Sequence, residues 1–250
     1  MNTSLFDKFS AVIRAGAGPD DLRLQLATSG PLAVHYAPFE AVNPQAKLVL
    51  VGITPGRVQA ANALDEARRQ LQMGASAAEA MLKAKQVGAF SGPMRSNLVD
   101  MLNHIGLHKW LRLSSCADLF ASRPELLQTA SVLQFPVFVE GQNYNGSPDP
   151  IRTPLLRDMV VEHFGNLAQV LPAAVFVPLG PVPTRVMQWL VDQGSFQPQK
   201  VLAGLPHPSG ANAERIQYFL GRKDASRLSA KTNATVLNAA RSALMGKVMQ

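Results

Sequence analysis

Lys47-Leu48-Val49-Leu50-Val51-Gly52 is the stretch that decides the fold. Four aliphatic residues run together and close on a glycine. Such a run lacks the alternation of a half-wet strand, because neither face meets water, and it predicts a strand buried in a parallel sheet. Ala174-Val175-Phe176-Val177-Pro178-Leu179-Gly180 has the same form, and so does Lys200-Val201-Leu202-Ala203-Gly204. Leu111 to Leu119 reads as the remaining strand. Helical spacing fills the intervals. It runs over Val58 to Met73, from a Ser76 cap through Lys85, from Ser96 to Ile105 with Gly106 as stop, over Pro154 to Leu167, after Gly180 through Val191, from Asn212, and over Thr232 to Met245. Strands alternating with helices predict an α/β chain, a three-layer α/β/α sandwich around a central, mostly parallel four-stranded sheet.

The remaining segments fit around that sheet. Residues 1–30 read as helical with a break at Gly16-Ala17-Gly18-Pro19, Asp20 being the cap of a short helix through Leu26. Pro31 to Pro44 reads as extended, so residues 1–45 form an N-terminal, mainly helical extension of a single domain spanning 1–250. Phe135-Pro136-Val137-Phe138-Val139 is an extended piece that Pro136 confines to an edge. Gly141 to Pro150 is a loop rich in Gly, Asn, Ser and Pro.

Composition narrows the function. The chain has 250 residues, 47% of them hydrophobic and 16% charged, which marks a globular protein. No apolar run approaches the ~20 residues of a membrane span, and the first residues lack the pattern of a secretory signal. Cys116 is the sole cysteine. That excludes an intrachain disulfide, an iron–sulfur cluster and a four-cysteine zinc site, and a cytoplasmic monomer without metal or cofactor is expected. The net charge of +7 and a pI near 9.9 favour a polyanionic partner such as nucleic acid, although many proteins are mildly basic without one. Arg215, Arg222, Lys223 and Arg227 gather in the last quarter, while Arg57, Arg68, Arg69, Lys83, Lys85 and Arg95 follow the first strand.

In a parallel sheet, ligands bind beyond the carboxyl ends of the strands. Two loops leave such ends, Gly52-Ile53-Thr54-Pro55-Gly56 and Pro206-His207-Pro208-Ser209. Glycines in the first let backbone N–H groups approach a ligand, although an ordinary strand-to-helix turn has the same composition. In the second, two prolines hold His207 so that one ring nitrogen aims at a fixed point, and Ser209 is placed to cap a helix or bond a phosphate.

Taken together and in this order, the two loops resemble the uracil-DNA glycosylase superfamily, in which the first strand ends in a Gly-x-x-Pro-Gly type of motif and the last in His-Pro-Ser. Gly88-Ala89-Phe90-Ser91-Gly92-Pro93, with Asn97-Leu98-Val99-Asp100-Met101-Leu102 and Ile105-Gly106-Leu107, is similar to a third segment of that family. The resemblance covers about residues 46 to 222. It implies the family's sandwich fold and excision of a flipped base from single- or double-stranded DNA, the chemistry of DNA base repair. Phe90 would stack on the base, His207 would stabilise the departing base anion, and Thr54 stands where the family positions a water. Gly52, Ile53, Pro55, Gly56, Gln59, Ser115, Ser209 and Asn212 would line the base site, and Arg57, Arg95 and Arg215 would meet the backbone. The sequence also departs from the family. A threonine hydroxyl orients water but is no base near neutral pH, the family's base-reading asparagine falls near Ser114 or Ser115, and the cluster cysteines of the iron–sulfur branch are missing. Asp65 and Glu66 would substitute for the missing carboxylate or form a solvated helix face. Gly141-Gln142-Asn143-Tyr144-Asn145-Gly146-Ser147 would read base edges or form a polar turn. These departures leave two further readings open, a nucleic-acid-binding protein without catalysis and a protein acting on a nucleoside-like small molecule.

Overall fold

The computed structural model describes residues 5–88 and 93–248. In chain order its elements are α1 (Leu5–Arg14), β1 (Gln25–Ser29), β2 (Leu32–His35), β3 (Leu48–Gly52), α2 (Arg57–Gln72), α3 (Ala77–Gly88), α4 (Pro93–His104), α5 (Leu107–Trp110), β4 (Leu127–Ser131), β5 (Val137–Val139), β6 (Gln142–Asn143), α6 (Pro154–Met159), α7 (Leu167–Val170), β7 (Val175–Pro178), α8 (Pro181–Asp192), α9 (Ala213–Phe219) and α10 (Ala234–Val248). The described residues fall into two compact units. The first comprises 5–42, 53–88 and 129–167, the second 43–52, 93–128 and 168–248.

The first unit holds an antiparallel sheet of order β1-β2-β5-β6. Leu32 pairs with Val139 and Phe138 with Asn143. Helix α1 buries Phe6, Phe9 and Ile13, the spacing of one apolar stripe. Phe9 stacks on Tyr36 with ring centroids 4.6 Å apart, and Tyr36 meets Phe135 at 5.7 Å. Ala60, Ala63, Leu64, Ala67 and Leu71 form the buried stripe of α2. Helix α3 starts on a reciprocal cap, with the Ser76 N–H donating to Glu79 and the Glu79 N–H to the Ser76 hydroxyl.

In the second unit the sheet order is β4-β3-β7. Strands β3 and β7 run parallel, Leu48 opposite Val175 through Val51 opposite Pro178. Every residue of Leu48–Val51 is buried, as continuous apolar character predicts. Leu48, Leu50, Val177 and Leu179 pack with Leu98, Met101 and Leu102 of α4, Ile216 and Phe219 of α9, and Leu244 of α10. Among the described residues no helix is long and apolar enough to cross a membrane.

Several expectations need correction. Leu111 to Leu119 forms no strand. The Ser115 hydroxyl accepts the Ala117 N–H, and Asp118 accepts the Ser115 N–H, so these side chains cap a tight helical turn over Cys116–Phe120. The strand beside β3 is β4, sixteen residues after the start of the predicted one. The Lys200–Gly204 run reaches the sheet only through parallel bridges, Val201 to Phe176 and Leu205 to Leu179. Gly204, at φ +121°, and Pro206, which has no N–H, break the ladder. The four-stranded sheet is the antiparallel one of the first unit. Among the described residues of the N-terminal stretch, helix is confined to α1 and the turn Leu22–Leu24. Asp21, not Asp20, caps that turn by accepting the Arg23 N–H at 2.9 Å, and β1 then pairs with β2.

Candidate functional site

The second unit sets the edge from which both loops depart. The Leu179 N–H donates to the Val51 carbonyl at 2.9 Å, and Leu179 bridges Leu205 in parallel. Gly52 therefore ends, and Gly180 and Pro206 follow, chain segments at the same carboxyl edge of one sheet.

His207 lies just beyond that edge, half-buried between buried Pro206 and Pro208. The Ser209 N–H donates to its Nδ1 at 3.2 Å. A backbone amide has only a proton to give, so Nδ1 is the bare nitrogen and Nε2 carries the hydrogen of the neutral ring. Among the described residues Nε2 has no hydrogen-bond partner. Burial pushes the imidazole below its ordinary 6.5. Gly180 reinforces this placement. It adopts φ +91° and ψ −179°, a region essentially reserved for glycine, and a Cβ added there would lie 3.1 Å from the His207 Cβ. Gly180 is also the N-cap of α8, and the positive end of a helix disfavours a second positive charge beside it.

Around the ring, polar atoms are matched. Asn97 Nδ2 donates to the Pro208 carbonyl at 2.9 Å. Asn212 donates to the Ser209 hydroxyl at 3.2 Å and accepts from Arg215 at 2.7 Å, while Arg215 also holds the Lys231 carbonyl. Asn212 and Arg215 thus brace the loop instead of presenting free groups. Ser209 keeps its hydroxyl proton. Ser115 is spent as a cap, accepting from Ala117 and from Asn103 at 3.0 Å. The Arg95 guanidinium lies 5.0 Å from the Phe120 ring centroid. Phe90 lies outside the described residues.

Thr54 belongs to the first unit and His207 to the second. The Thr54 hydroxyl donates to the Phe135 carbonyl at 2.9 Å and accepts the Val137 N–H at 3.2 Å. Beside it the Ile53 carbonyl accepts the Leu133 N–H at 2.9 Å. Together these bonds stitch the loop to the segment leading into β5. Pro55 is buried, and Gly56 donates its N–H to Gln59 at 2.9 Å, Gln59 in turn donating to the Gly88 carbonyl at 3.1 Å. Gly56 is extended at φ −80°, which any residue adopts. Arg57 pairs with Asp20, donates to the Gly141 carbonyl and lies over the Phe138 ring at 4.6 Å. Asp65 pairs with Arg68 and Glu66 with Arg69, an ion-paired helix face. In the Gly141–Ser147 turn, Asn143 accepts the Arg57 N–H at 2.9 Å, and buried Tyr144 donates to the Pro148 carbonyl.

Three contributors escaped the sequence reading: Gly180, Asn97 and Glu214. The glycine that closes the Ala174–Gly180 run was a legible signal for the first. Nothing local marks Glu214, which accepts from Lys223 at 2.7 Å and from the hydroxyls of Ser229 and Thr232 at 2.6 Å.

Comparison with known proteins adds a relative. The Bacillus subtilis (strain 168) protein YoxB, described as an uncharacterized protein, is 36% identical to this chain over 203 residues, 80% of this chain and 79% of its own. No family model matches the chain, and no solved structure matches it.

Proposed function

This chain belongs to the family of Bacillus subtilis YoxB, and on that premise we propose that it is a nucleic-acid-binding protein of the uracil-DNA glycosylase type that hydrolyses the N-glycosidic bond of a flipped base. One observation carries the reading: a neutral histidine, its Nδ1 fixed as acceptor by the Ser209 amide, with an uncommitted Nε2–H at the carboxyl edge of a parallel sheet. In the reaction water adds to the anomeric carbon as the C–N bond breaks. The base leaves with the bonding electrons and finally takes the proton that the water loses. A neutral N–H donor aimed at that anion strengthens its hold as charge develops. The family's four-stranded parallel sheet belongs to the same proposal, supported by the two parallel bridges that Val201 and Leu205 make beside β7.

The Thr54 hydrogen bonds favour a second reading, binding without hydrolysis. Its only proton is given to the Phe135 carbonyl, so it can receive a bond from water but cannot donate one. Release of free base from uracil-, hypoxanthine- and xanthine-containing oligonucleotides separates the two. The enzyme reading expects release by the wild type, its loss in His207→Ala, and a gain in Thr54→Asn, whose amide can satisfy both Phe135 and Val137. If every form binds the oligonucleotides and none releases base, the protein is a binder. If none binds, both readings fall.

A further inference from the structure

The second unit carries a basic cavity that the His207 loop does not use. It lies at the carboxyl end of α9, has a volume of about 430 Å³, and is lined by Tyr218, Arg222, Lys223, Asp224, Asn238 and Arg241. Its cations are unequally neutralised. Arg241 donates to the Phe219 carbonyl at 3.1 Å and to Asn238 at 3.0 Å, both neutral acceptors. Arg222 gives one nitrogen to Asp100 at 2.7 Å, and its side chain is 53% exposed. Lys223 pairs with Glu214, but that carboxylate is shared with Ser229 and Thr232. Asp224, the one carboxylate in the wall, accepts instead from the N–H and hydroxyl of Ser226, at 2.9 and 2.8 Å. His104, held below its ordinary 6.5 first by burial and then by Arg241 and Arg222, registers the positive field.

We propose that this cavity seats backbone phosphates of a nucleic acid whose base is handled at His207. The proposal rests on the reading above. Phosphate oxygens suit guanidinium groups that still have N–H donors to give. The shape of the charge favours a strand over a small anion. Residues 212–241 hold six cations and two carboxylates, a surplus of four, with the Ser209 loop near one end of α9 and Arg222 and Lys223 beyond the other. Helix α9, seven residues long, separates the two ends by roughly 10 Å at 1.5 Å per residue. That is about three nucleotides at 3.4 Å per phosphate along one strand of B-DNA.

The test is anisotropy of a labelled single-stranded oligonucleotide across a salt series. The forms compared are the wild type, Arg222→Gln/Lys223→Gln, that pair with Arg241→Gln, and a control with Lys8→Gln/Lys109→Gln/Arg157→Gln. Each phosphate contact on a single strand contributes about 0.7 to the slope of log affinity against log salt. The double variant should therefore lose about 1.4 of slope and the triple about 2, with affinity near 0.1 M salt falling about fivefold per cation by the same relation. The control should keep the wild-type slope. The double variant spares the Arg241 bonds to Phe219, so a folding defect in the triple would not mask the result. Wild-type binding with a slope that the cavity variants leave unmoved overturns this site and spares the function proposed above. No wild-type binding at low salt overturns both. Unchanged oligonucleotide binding, together with inorganic phosphate raising Tm in wild type but not in the variants, would assign the cavity to a small anion and overturn the backbone role.

Discussion

Thr54 follows strand β3, His207 follows a segment that only bridges β7 and Leu179, and both sit in proline-stiffened loops, yet their polar atoms are used in opposite ways. The Thr54 hydroxyl gives its proton to Phe135 and takes one from Val137, so it works as a stitch between segments of the first unit. His207 accepts one local amide and, among the described residues, leaves its other nitrogen uncommitted. A residue saturated inside the protein stabilises the fold, whereas a donor left over at a strand end has bonding capacity for something outside it. Residue type does not distinguish the two cases, but hydrogen-bond accounting does.

That contrast predicts a crossed pattern, beginning with its largest effect. His207→Ala should lower any base release by about 100- to 1,000-fold, as expected for losing one transition-state donor, while moving stability by less than Thr54→Val does. Equal activity of wild type and His207→Ala would remove the histidine from the chemistry. The first unit carries the next largest effect. Lys85 is buried, donates to the Ala41 carbonyl at 2.6 Å, and is held down to about 7 from its usual 10.5, by burial and against the opposing pull of Glu40. Between those values the unfolded chain binds more protons than the folded one, so stability should rise with pH from about 7 towards 10.5. The total gain should be a few kcal/mol, and Lys85→Met should flatten it. Glu40, raised by burial, acts in the opposite sense on the acid side, favouring the folded state least once pH exceeds its folded value. Denaturant midpoints across pH measure both, and a midpoint that falls from pH 7 to 9 would contradict the Lys85 assignment.

Smaller effects sharpen the comparison. Thr54→Val leaves the Phe135 carbonyl and the Val137 N–H without a partner, which should cost about 1–3 kcal/mol. Thr54→Ser should recover most of it. A Thr54→Val protein as stable as wild type would show that the stitch contributes nothing. Gly180→Ala, forced into a glycine-only region, should cost about 1–3 kcal/mol and displace the histidine as well. The most delicate reading is the proton itself. Nitrogen-detected NMR should place it on Nε2 of His207, with titration below 6.5 because burial disfavours the charged ring. Protons on Nδ1 near neutral pH would reverse the donor assignment.

What the sequence disclosed follows a physical divide. Leu48–Val51 and Val175–Pro178 are strands in solid apolar runs, and such runs have few other uses. Strand β4, Leu-Gln-Thr-Ala-Ser, is half polar and only partly buried, so its pattern was no stronger than that of a loop. Leu111 to Leu119 looked apolar enough for a strand, but Ser115 and Asp118 offered the backbone a cap that outweighed it. Polar β1, mostly exposed, is held by pairing with β2 across Gly30, which no local propensity records. The candidate loops themselves were legible from their prolines and glycines. The roles of Thr54, Gln59, Asn212 and Arg215 were not, because a hydrogen-bond partner 81 residues away, as Phe135 is from Thr54, leaves no mark in the neighbouring sequence.

The bond between the Ser209 amide and His207 Nδ1 spans only two residues. The proton's address on the ring is therefore written in a tripeptide. A device so self-contained is portable. Descendants of this chain can rebuild the surrounding helices, and the histidine will still offer the same nitrogen. Its persistence across relatives would then testify to the thrift of the loop before it testified to any chemistry.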